Sequence, residues 1–264
     1  DAIKVTPGVM PGYVPPCGTA CPAGTDVQGY IALAGAGRYE DAYRLIRQSN
    51  PFPSVCGRIC NHPCQAACNR NDLDESVGIR DIKRFVADKA FENGMPVVEK
   101  KRKSNGKKIA VIGAGPSGLS CAYYLQLSGY SVEVFESESV AGGVLAYGIP
   151  EYRLPKAVLN RDIQAIEATG VQIHLNTTVG EDVSFDELYK KFHAVYVSTG
   201  TQLSRKANIP GEDMPGVYHG LDFLKAVNLG KPVEIGKKVA VIGGGNTAID
   251  AARTARRLGA EVTI

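Results

Sequence analysis

The sequence lacks the features that would place it in a membrane or on nucleic acid. None of its apolar runs approaches the ~18 residues that a membrane-spanning helix requires, so we expect no membrane span. Residues 1–16 lack the basic and apolar halves of a secretory signal peptide, and we expect a cytoplasmic protein. The formal net charge of the 264 residues is only +3, which gives no indication of a nucleic-acid partner.

Residues for nucleophilic or acid–base catalysis are also scarce. The chain has four histidines, which are scattered, and no convincing Ser-His-Asp set accompanies them. Each of the four is more often a structural or surface residue than a catalytic one. We therefore predict no catalytic side chain of this kind. The histidines are His62, His174, His193 and His219.

Cysteine is nearly absent after residue 68, where Cys121 stands alone, yet six cysteines crowd into the preceding part of the chain. In a cytosolic oxidoreductase such a cluster more often holds metal than disulfides. Two alternatives to an iron–sulfur site stay open: the Cys-x3-Cys spacing also suits zinc, and disulfides would need an oxidising compartment. His62 lies among these cysteines and is a candidate for tuning or binding a cluster. The six are Cys17, Cys21, Cys56, Cys60, Cys64 and Cys68.

A dinucleotide-binding pattern starts at residue 107. Residues 109–112 form the continuous apolar run that is typical of a central parallel strand. A G-x-G-x-x-G motif follows from Gly113 to Gly118, which permits a tight turn, a close approach of the backbone to a pyrophosphate, and close packing of the next helix. An alternating strand over 131–135 ends at Glu136, where a carboxylate accepts hydrogen bonds from a ribose. Together these elements predict a nucleotide site, and the alternative is a βαβ unit without a ligand.

The same pattern starts again at residue 237, in the sequence K-K-V-A-V-I-G-G-G-N-T-A. Gly243 and Gly245 match the first two glycines, and Ala248 takes the third place, where a methyl group is still small enough for close packing. Two dinucleotide sites bring two cofactors together, which suits hydride transfer between a nicotinamide and a flavin. No close cysteine pair lies beside either motif, which argues against a disulfide reductase.

The segments between the motifs predict alternating helices and strands. In the helix over 79–91, Ile82, Phe85, Val86 and Lys89 fall on helical spacing. A doubly wound domain needs more strands than follow the second motif, so we expect the domain to continue past Ile264. Strands are predicted at 171–175 and 194–198. Helices are predicted after Asp26, at 39–48, 79–91, 117–128, 156–168, 221–228 and 246–258.

The two motifs, the G-G-V-L-A-Y-G-I-P-E-Y-R-L-P segment over 142–155 and the S-T-G turn over 198–200 resemble the flavoproteins with two dinucleotide-binding domains. The cysteine segments P-C-G-T-A-C-P and N-P-F-P-S-V-C-G-R-I-C more specifically resemble the glutamate synthase small subunit. They also resemble the equivalent region of dihydropyrimidine dehydrogenase and the large subunit of electron-bifurcating NADH-dependent ferredoxin:NADP oxidoreductases. The resemblance implies an α/β protein with a helical iron–sulfur domain at 1–103, a Rossmann-like FAD domain at 104–235 and the start of an inserted Rossmann-like NAD(P) domain at 236–264.

The same resemblance implies that FAD occupies the first motif and NAD(P)H, with NADPH favoured, the second. Glu136 would hold the adenosine ribose and Val179 would lie by the adenine, while Asp250 would be helical support. The residues that would face FAD are Gly113, Ala114, Gly115, Pro116, Ser117, Gly118, Glu136, Gly143, Val144, Leu145, Gly148, Ile149, Pro150, Arg153, Val179, Thr199 and Gly200. Those that would meet NAD(P)H are Gly243, Gly245, Asn246, Thr247 and Ala248.

Some relatives hold two [4Fe-4S] clusters, and this chain lacks part of the ligand set of each. One cluster takes the cysteines matching Cys17 and Cys68 with an upstream C-x-x-C pair, which this chain lacks. The other takes three cysteines and a side-chain oxygen of Gln or Glu, and that fourth position is Lys83 here, whose ammonium cannot serve while protonated.

We therefore predict at least one [4Fe-4S] cluster whose core ligands are Cys21, Cys60 and Cys64, with Cys17 or Cys68 completing the set. Cys56 matches a cysteine that is not a ligand in the relatives.

Two functions follow from the resemblance. The first is an NAD(P)H-dependent oxidoreductase subunit that passes electrons through FAD to [4Fe-4S] clusters and an electron-transfer protein or larger subunit, in a hetero-oligomer. The alternative is a non-catalytic electron-relay or assembly subunit that keeps the fold without oxidising nicotinamide.

Overall fold

The computed structural model describes residues 14–94, 101–204, 206 and 208–264. The chain divides into two compact units, residues 1–95 and 96–264. The finer division into domains at 1–103, 104–235 and 236–264 stays a prediction. Residues 101–108, which belong to a basic segment, are exposed. The backbone N–H of Arg102 donates to the carbonyl of Leu127 at 2.9 Å.

The described part of the first unit is helical. Asp26 caps α2, because its carboxylate accepts the backbone N–H of Gly29 at 2.8 Å. Helices α1, α4 and α5 each begin with proline, whose missing N–H costs nothing at the first helical position. The helices are α1 (Pro16–Thr19), α2 (Val27–Gly35), α3 (Tyr39–Arg47), α4 (Pro53–Ile59), α5 (Pro63–Ala66) and α6 (Ile79–Glu92), with a 3-10 helix at Asn69–Asp72.

The core of the first unit is built around α6. The hydroxyl of Tyr30, on α2, donates to the carbonyl of Ile79 at 3.0 Å and both residues are buried. A Cβ on Gly57 would lie 2.7 Å from the Cα of Arg84, so α4 and α6 approach too closely for any side chain there.

The helix predicted over 79–91 is confirmed as α6, but Phe85 lies on its exposed side, where it is 44% exposed and packs edge-on against Tyr39. The buried face instead includes Ile79, Lys83, Val86 and Ala90, so a lysine occupies a position that the pattern would give to an apolar side chain.

The second unit contains a parallel four-stranded sheet. Its strand order is β3-β2-β1-β4, so the chain moves outward from β1 to β3 and returns to the other side of β1 for β4. Ala110 and Val111 of β1 are fully buried, as the continuous apolar run predicted. The strands are β1 (Lys108–Ile112), β2 (Ser131–Phe135), β3 (Gln172–His174) and β4 (Ala194–Val197).

Helices connect these strands and lead to a second, smaller sheet. In that sheet β5 (Lys238–Ala240) pairs in parallel with β6 (Glu261–Thr263). Phe223 and Leu224 pack against Ala251 and Ala255 in the core beside it. The helices of the unit are α7 (Pro116–Leu127), α8 (Val144–Tyr147), α9 (Lys156–Glu167), α10 (Phe185–Lys191), α11 (Gly220–Asn228) and α12 (Asn246–Arg257). In the described ranges, no helix is both long and apolar enough to cross a membrane.

Candidate nucleotide and iron–sulfur sites

The first glycine loop joins β1 to α7, and two of its glycines are required by the packing of the protein itself. Gly113 has a φ of +99°, and a Cβ there would lie 2.4 Å from the carbonyl oxygen of Ser198. A Cβ on Gly118 would lie 2.0 Å from the carbonyl oxygen of Gly113. Neither position can carry a side chain unless the backbone moves.

Gly115 differs from these two glycines. Its φ is −73°, which any residue adopts, and no protein atom comes within 4 Å of the place where its Cβ would stand. It occupies the N-cap position of α7 without a side-chain cap, so the first N–H groups of the helix are open to a ligand. Free space beside the N-terminus of a 12-residue helix suits a pyrophosphate.

Glu136 is buried at the edge of this loop, with 4% of its surface exposed. One carboxylate oxygen accepts the backbone N–H of Ala114 at 2.7 Å, and the other accepts that of Glu138 at 2.9 Å. The carboxylate is therefore fixed directly beside the glycine loop. Burial, followed by the charges of Glu136 and Glu138, raises the pKa of Tyr147, which places that ring near the same carboxylates.

The segment predicted to line the flavin folds back onto the first loop. The N–H of Gly142 donates to the carbonyl of Ala114 at 2.8 Å. Gly143 has a φ of +57°, and a Cβ there would lie 2.9 Å from the Cα of Gly115. The structure thus brings Gly143 beside the loop, with Val144 and Leu145 following in the short helix α8.

Lys156 holds the end of that segment. Its ammonium donates to the carbonyl oxygens of Ile149 and, at 3.3 Å, Leu145. Burial lowers the pKa of Lys156 to about 8, although the charge of Glu151 opposes the shift. The path from Leu145 through Gly148 and Ile149 to Pro150 is therefore fixed by a lysine that the sequence analysis did not single out.

The turn after β4 also reaches the first loop. The hydroxyl of Ser198 donates to the carbonyl of Ile112 at 2.9 Å, and the hydroxyls of Ser117 and Tyr196 lie 3.0 Å apart. Thr199 and Gly200, which were predicted to meet the dinucleotide, follow directly and are exposed. Ser198 belongs to the S-T-G turn but was not predicted as a site residue.

Val179 lies in the loop after β3. In this loop the backbone N–H of Thr177 donates to the carbonyl of Glu136 at 2.8 Å. Val179 is half-buried against the core cluster of Ile112 and Phe135. It is therefore near the end of β2, and its place beside the adenine stays a prediction.

The second loop repeats the geometry of the first with more room. Gly243 has a φ of +119°, and no protein atom comes within 4 Å of a Cβ built on Gly245. The Cβ of Ala248 would be 3.5 Å from a Cβ on Gly243, an ordinary contact, so the methyl group is tolerated as predicted. Asn246 and Thr247, at the start of α12, are exposed.

Arg153, predicted to face the flavin, contacts the helix of the second motif. Its guanidinium donates to Asp250 on α12, and the hydroxyl of Tyr152 donates to the same carboxylate at 3.3 Å. Asp250, predicted as helical support, therefore connects α12 to the segment that contains Tyr152 and Arg153. Tyr152 was missed because nothing in its neighbouring sequence indicates a partner so far along the chain.

In the first unit, four thiols share the surroundings of one buried tyrosine. Burial first, and then the charges of these four cysteines, raises the pKa of the Tyr30 phenol. The four are Cys17, Cys21, Cys60 and Cys64.

Cys68 shares a cavity with Cys17. The cavity has a volume of about 350 Å³, and Pro16, Ile31 and Ile79 also border it. Both candidates for the fourth ligand therefore line the same space.

Lys83 stands among these thiols. It is 7% exposed, and its ammonium lies 5.8 Å from the ring centroid of Tyr30. Burial raises the pKa of Cys21, but hydrogen bonds with Thr25 and Ala23 and the charge of Lys83 outweigh it, so that this pKa is lowered. Burial raises the pKa of Cys64, and Lys83 opposes that rise.

The two remaining candidates for a cluster ligand, Cys56 and His62, have other partners. The thiol of Cys56 lies 3.7 Å from the side-chain oxygen of Asn50. The ring nitrogen Nδ1 of His62 lies 3.1 Å from the carbonyl oxygen of Cys60 and 3.2 Å from the guanidinium of Arg80. The backbone N–H of His62 donates to the Cys60 thiol at 3.3 Å. His62 therefore supports Cys60 through its backbone.

All seven cysteines are free thiols. Over the described ranges, no three His, Cys, Asp or Glu residues are close enough to hold one metal ion. A zinc ion would need its ligands at a single centre, whereas the thiolates of a [4Fe-4S] cluster each bind a different iron and lie farther apart. Four thiols near Tyr30, with the buried Lys83 beside them, suit an anionic cluster.

Two protein families match the chain. Residues 10–95 match the family described as dihydropyrimidine dehydrogenase domain II, 4Fe-4S cluster. Residues 107–264 match the family described as pyridine nucleotide-disulphide oxidoreductase. The chain belongs to the pyridine nucleotide-disulphide oxidoreductase family. In this member the only cysteine after residue 68 is Cys121, in α7, where burial raises the pKa of its thiol.

Curated relatives of this oxidoreductase combine the same two regions. The NADPH-Fe(3+) oxidoreductase subunit beta of Geobacter sulfurreducens is 44% identical over 94% of this chain and 38% of the relative. The NADP(+)-dependent formate dehydrogenase subunit beta of Moorella thermoacetica is 44% identical over 95% and 39%, respectively. The glutamate synthase [NADPH] small chain of Escherichia coli is 38% identical over 94% and 55%. The chain thus spans between 38% and 55% of the length of these relatives.

Solved structures agree on the fold. A 2-naphthoyl-CoA reductase complex is 27% identical, with a TM-score of 0.51, over 63% of this chain and 24% of that one. Histamine dehydrogenase from Rhizobium sp. 4-9 is 21% identical, with a TM-score of 0.50, over 88% of this chain and 34% of that one, and shows the fold alone.

These matches confirm the family resemblance and the fold class, a helical iron–sulfur domain followed by a Rossmann-like α/β domain. They also confirm the predicted kinds of cofactor, a [4Fe-4S] cluster with FAD and a nicotinamide dinucleotide. The individual ligand and nucleotide residues stay predictions.

Proposed function

We propose that the chain oxidises NADPH as part of a larger oxidoreductase and passes the electrons through FAD to a [4Fe-4S] cluster and a partner protein. The observation that carries the proposal is the geometry at Gly115 and Gly245. Each is a glycine with ordinary backbone angles and an empty space in front of it, at the start of a helix. Because protein packing does not require a glycine at either position, a ligand explains both.

The residues of the first loop bind and orient one dinucleotide. The N-terminus of α7 receives the pyrophosphate, and Glu136, held by the Ala114 N–H, accepts from the ribose. FAD, when bound there, supplies the chemistry, because a flavin takes a hydride from a nicotinamide and releases electrons one at a time. Lys156 and the Gly142–Ala114 bond fix the backbone that would line the flavin.

The thiols around Tyr30 hold the cluster. Cys21, Cys60 and Cys64 are the core ligands, with Cys17 or Cys68, which line one cavity, as the fourth. Lys83 supplies a positive charge beside this anionic group. We also propose a cytoplasmic location, because free cluster-binding thiols suit a reducing compartment.

The partner is a larger oxidoreductase subunit or an electron-transfer protein in a hetero-oligomer. The relatives support this proposal, since their names are those of beta subunits and a small chain. Those names also support NADPH over NADH. Isothermal titration with each reduced cofactor decides between the two, and tighter binding of NADH would contradict the choice of NADPH.

Anaerobic addition of NADPH to purified, flavin-loaded protein tests the function. We expect the visible flavin absorbance to bleach within the dead time of manual mixing. Gly245→Val is expected to keep the flavin but to prevent bleaching by NADPH, while dithionite still bleaches it. Wild-type protein whose flavin is bleached by dithionite but by neither NADPH nor NADH would instead be a non-catalytic relay subunit.

A further inference from the structure

A partly buried cluster joins residues 142–155, the flavin segment, to the helix of the second glycine loop. Arg153 and Tyr152 both donate to the carboxylate of Asp250, one to each oxygen. Asp250 is only 5% exposed, so its charge is desolvated and depends on these two donors. Separating a buried carboxylate from its donors costs free energy, so the contact between Asp250 and the two donors resists separation.

Two further cations reinforce the cluster from α12. The guanidinium carbons of Arg253 and Arg257 lie 4.4 Å and 3.9 Å from the ring centroid of Tyr152. Arg253 and Arg257 are four residues apart, so they stand on one face of the helix, one turn from each other. Tyr152 is therefore held at both ends, by its hydroxyl on Asp250 and by its ring against the arginines.

The positions of these residues connect the two dinucleotide sites by a short path. Asp250 is one helical turn beyond Asn246, where α12 begins at the second loop. Arg153 is three residues beyond Pro150, in the segment that Lys156 fixes and that packs on the first loop. A displacement of α12 therefore reaches the flavin segment through Tyr152 and Arg153.

We propose that Tyr152, Arg153 and Asp250 couple the two sites, so that a dinucleotide on the second loop sets the position of the flavin segment. The three are positioning residues, and the inference rests on the proposed function. Coupling of this kind is reciprocal, because a ligand that favours one arrangement of the cluster raises the affinity of the other ligand by the same factor.

Contacts that α11 makes with Glu138 and Tyr147, close to the first loop, provide a control. On α11, Lys225 pairs with Glu138, and the side-chain amide of Asn228 donates to the carbonyl of Tyr147 at 2.7 Å. They span the same interface without involving α12. These contacts do not involve Asp250 and should persist in an Asp250→Asn variant, in which Asn also preserves the size of the side chain.

The test measures a coupling factor by isothermal titration. This factor is the Kd of NADP⁺ for cluster-containing protein without FAD, divided by the Kd for the same protein loaded with FAD. We expect a factor on the order of ten for wild type and near one for Asp250→Asn. Tyr152→Phe, which keeps the ion pair, should fall between them. Lys225→Met should keep the wild-type factor. A second readout is hydrogen exchange of residues 144–150 in FAD-free protein, which NADP⁺ should slow in wild type and not in Asp250→Asn.

The outcomes separate this inference from the function on which it rests. Wild type that binds neither cofactor overturns the proposed function and the coupling with it. Wild type that binds both with a factor near one, or Asp250→Asn that keeps the wild-type factor and exchange, overturns the coupling alone. Equal loss in Lys225→Met would overturn it as well, by assigning the effect to the whole interface. If Asp250→Asn does not fold, Arg153→Met, which removes the ion pair from the other side, takes its place, with loss of coupling again expected.

Discussion

The three glycines of the first loop are required for different reasons. Gly113 and Gly118 have no room for a side chain because backbone atoms of the protein occupy the space. Gly115 has room, and its backbone angles suit any residue. A substitution at Gly115 therefore tests a ligand, whereas one at Gly118 tests the fold.

We predict that Gly115→Val abolishes FAD binding while the apoprotein keeps its stability to within about 1 kcal/mol. The valine side chain would fill the space in front of α7 and exclude the pyrophosphate. Flavin content after purification and chemical denaturation of the apoprotein measure the two effects. Gly118→Ala is the matched contrast, with a loss of about 1–3 kcal/mol because its methyl group collides with the Gly113 carbonyl. Unchanged flavin content in Gly115→Val would contradict the assignment of the site.

Lys83 is a buried cation beside Cys21 and Cys64, and no carboxylate within the described residues forms an ion pair with it. A positive charge stabilises the reduced form of a cluster, which carries one more electron. We predict that Lys83→Met lowers the reduction potential by on the order of 50 mV, measured by a titration followed by EPR. Lys89→Met, an exposed lysine on the same helix, is the control and should leave the potential unchanged. Equal potentials in both variants would count against this role of Lys83.

At the scale of elements, the short helices α1, α4 and α5 carry or end at the proposed cluster ligands. Cys60 is the C-cap of α4, and its thiol accepts the N–H of His62. Cys56, one turn earlier, faces Asn50 instead. The two cysteines of one helix therefore have different surroundings.

We predict about four irons per chain in anaerobically purified protein, as expected for one [4Fe-4S] cluster. Cys60→Ser should lose the iron and the acid-labile sulfide together, and Cys56→Ser should keep both. Stoichiometric zinc without sulfide in the wild type would end the proposal of a cluster.

The flavin segment depends on Lys156, and this dependence predicts a pH effect. Burial lowers the pKa of Lys156 to about 8 in the folded chain, while the unfolded chain keeps the ordinary value of 10.5. Between these values the unfolded state binds more protons, so the free energy of unfolding rises with pH. We predict that wild type gains stability over Lys156→Met as the pH is raised from 7 to 9.5. Chemical denaturation at several pH values measures the difference, and a constant difference would refute the shift.

The sequence predicted those elements whose signals are local. Helices α7 and α12 follow their glycine motifs within a residue of the predicted starts, because the glycines and the apolar run before them mark the turn. Helix α4 was missed, since its Pro-Phe-Pro start and internal glycine resemble a loop. The burial of Lys83 and the exposure of Phe85 could not be predicted from periodicity, because periodicity alone assigns apolar side chains to the buried face. The pairing of Arg153 with Asp250 depends on the fold as a whole, and neither residue carries a local sign of it.

At the scale of the whole molecule, the chain divides into two compact units, 1–95 and 96–264, each with its own buried residues. The first is small and proposed to be held by a cluster, whereas the second has a parallel sheet. We predict two transitions in calorimetric unfolding of the holoprotein, because the first unit should depend on iron and the second should not. Anaerobic chelation of iron should lower the temperature of one transition only. A single transition that shifts as a whole would show that the units unfold together.

Glu136 has a consequence for how this oxidoreductase can change over evolution or by design. The same carboxylate that is proposed to hold a sugar hydroxyl already receives the backbone of Ala114 and Glu138. Exchanging it to admit a different nucleotide would also remove the acceptor of the Ala114 N–H, in the loop proposed to hold the phosphates. Nucleotide selectivity and the position of that loop are therefore linked at this residue. New cofactor preferences at the first site must arise at neighbouring residues, with Glu136 left in place.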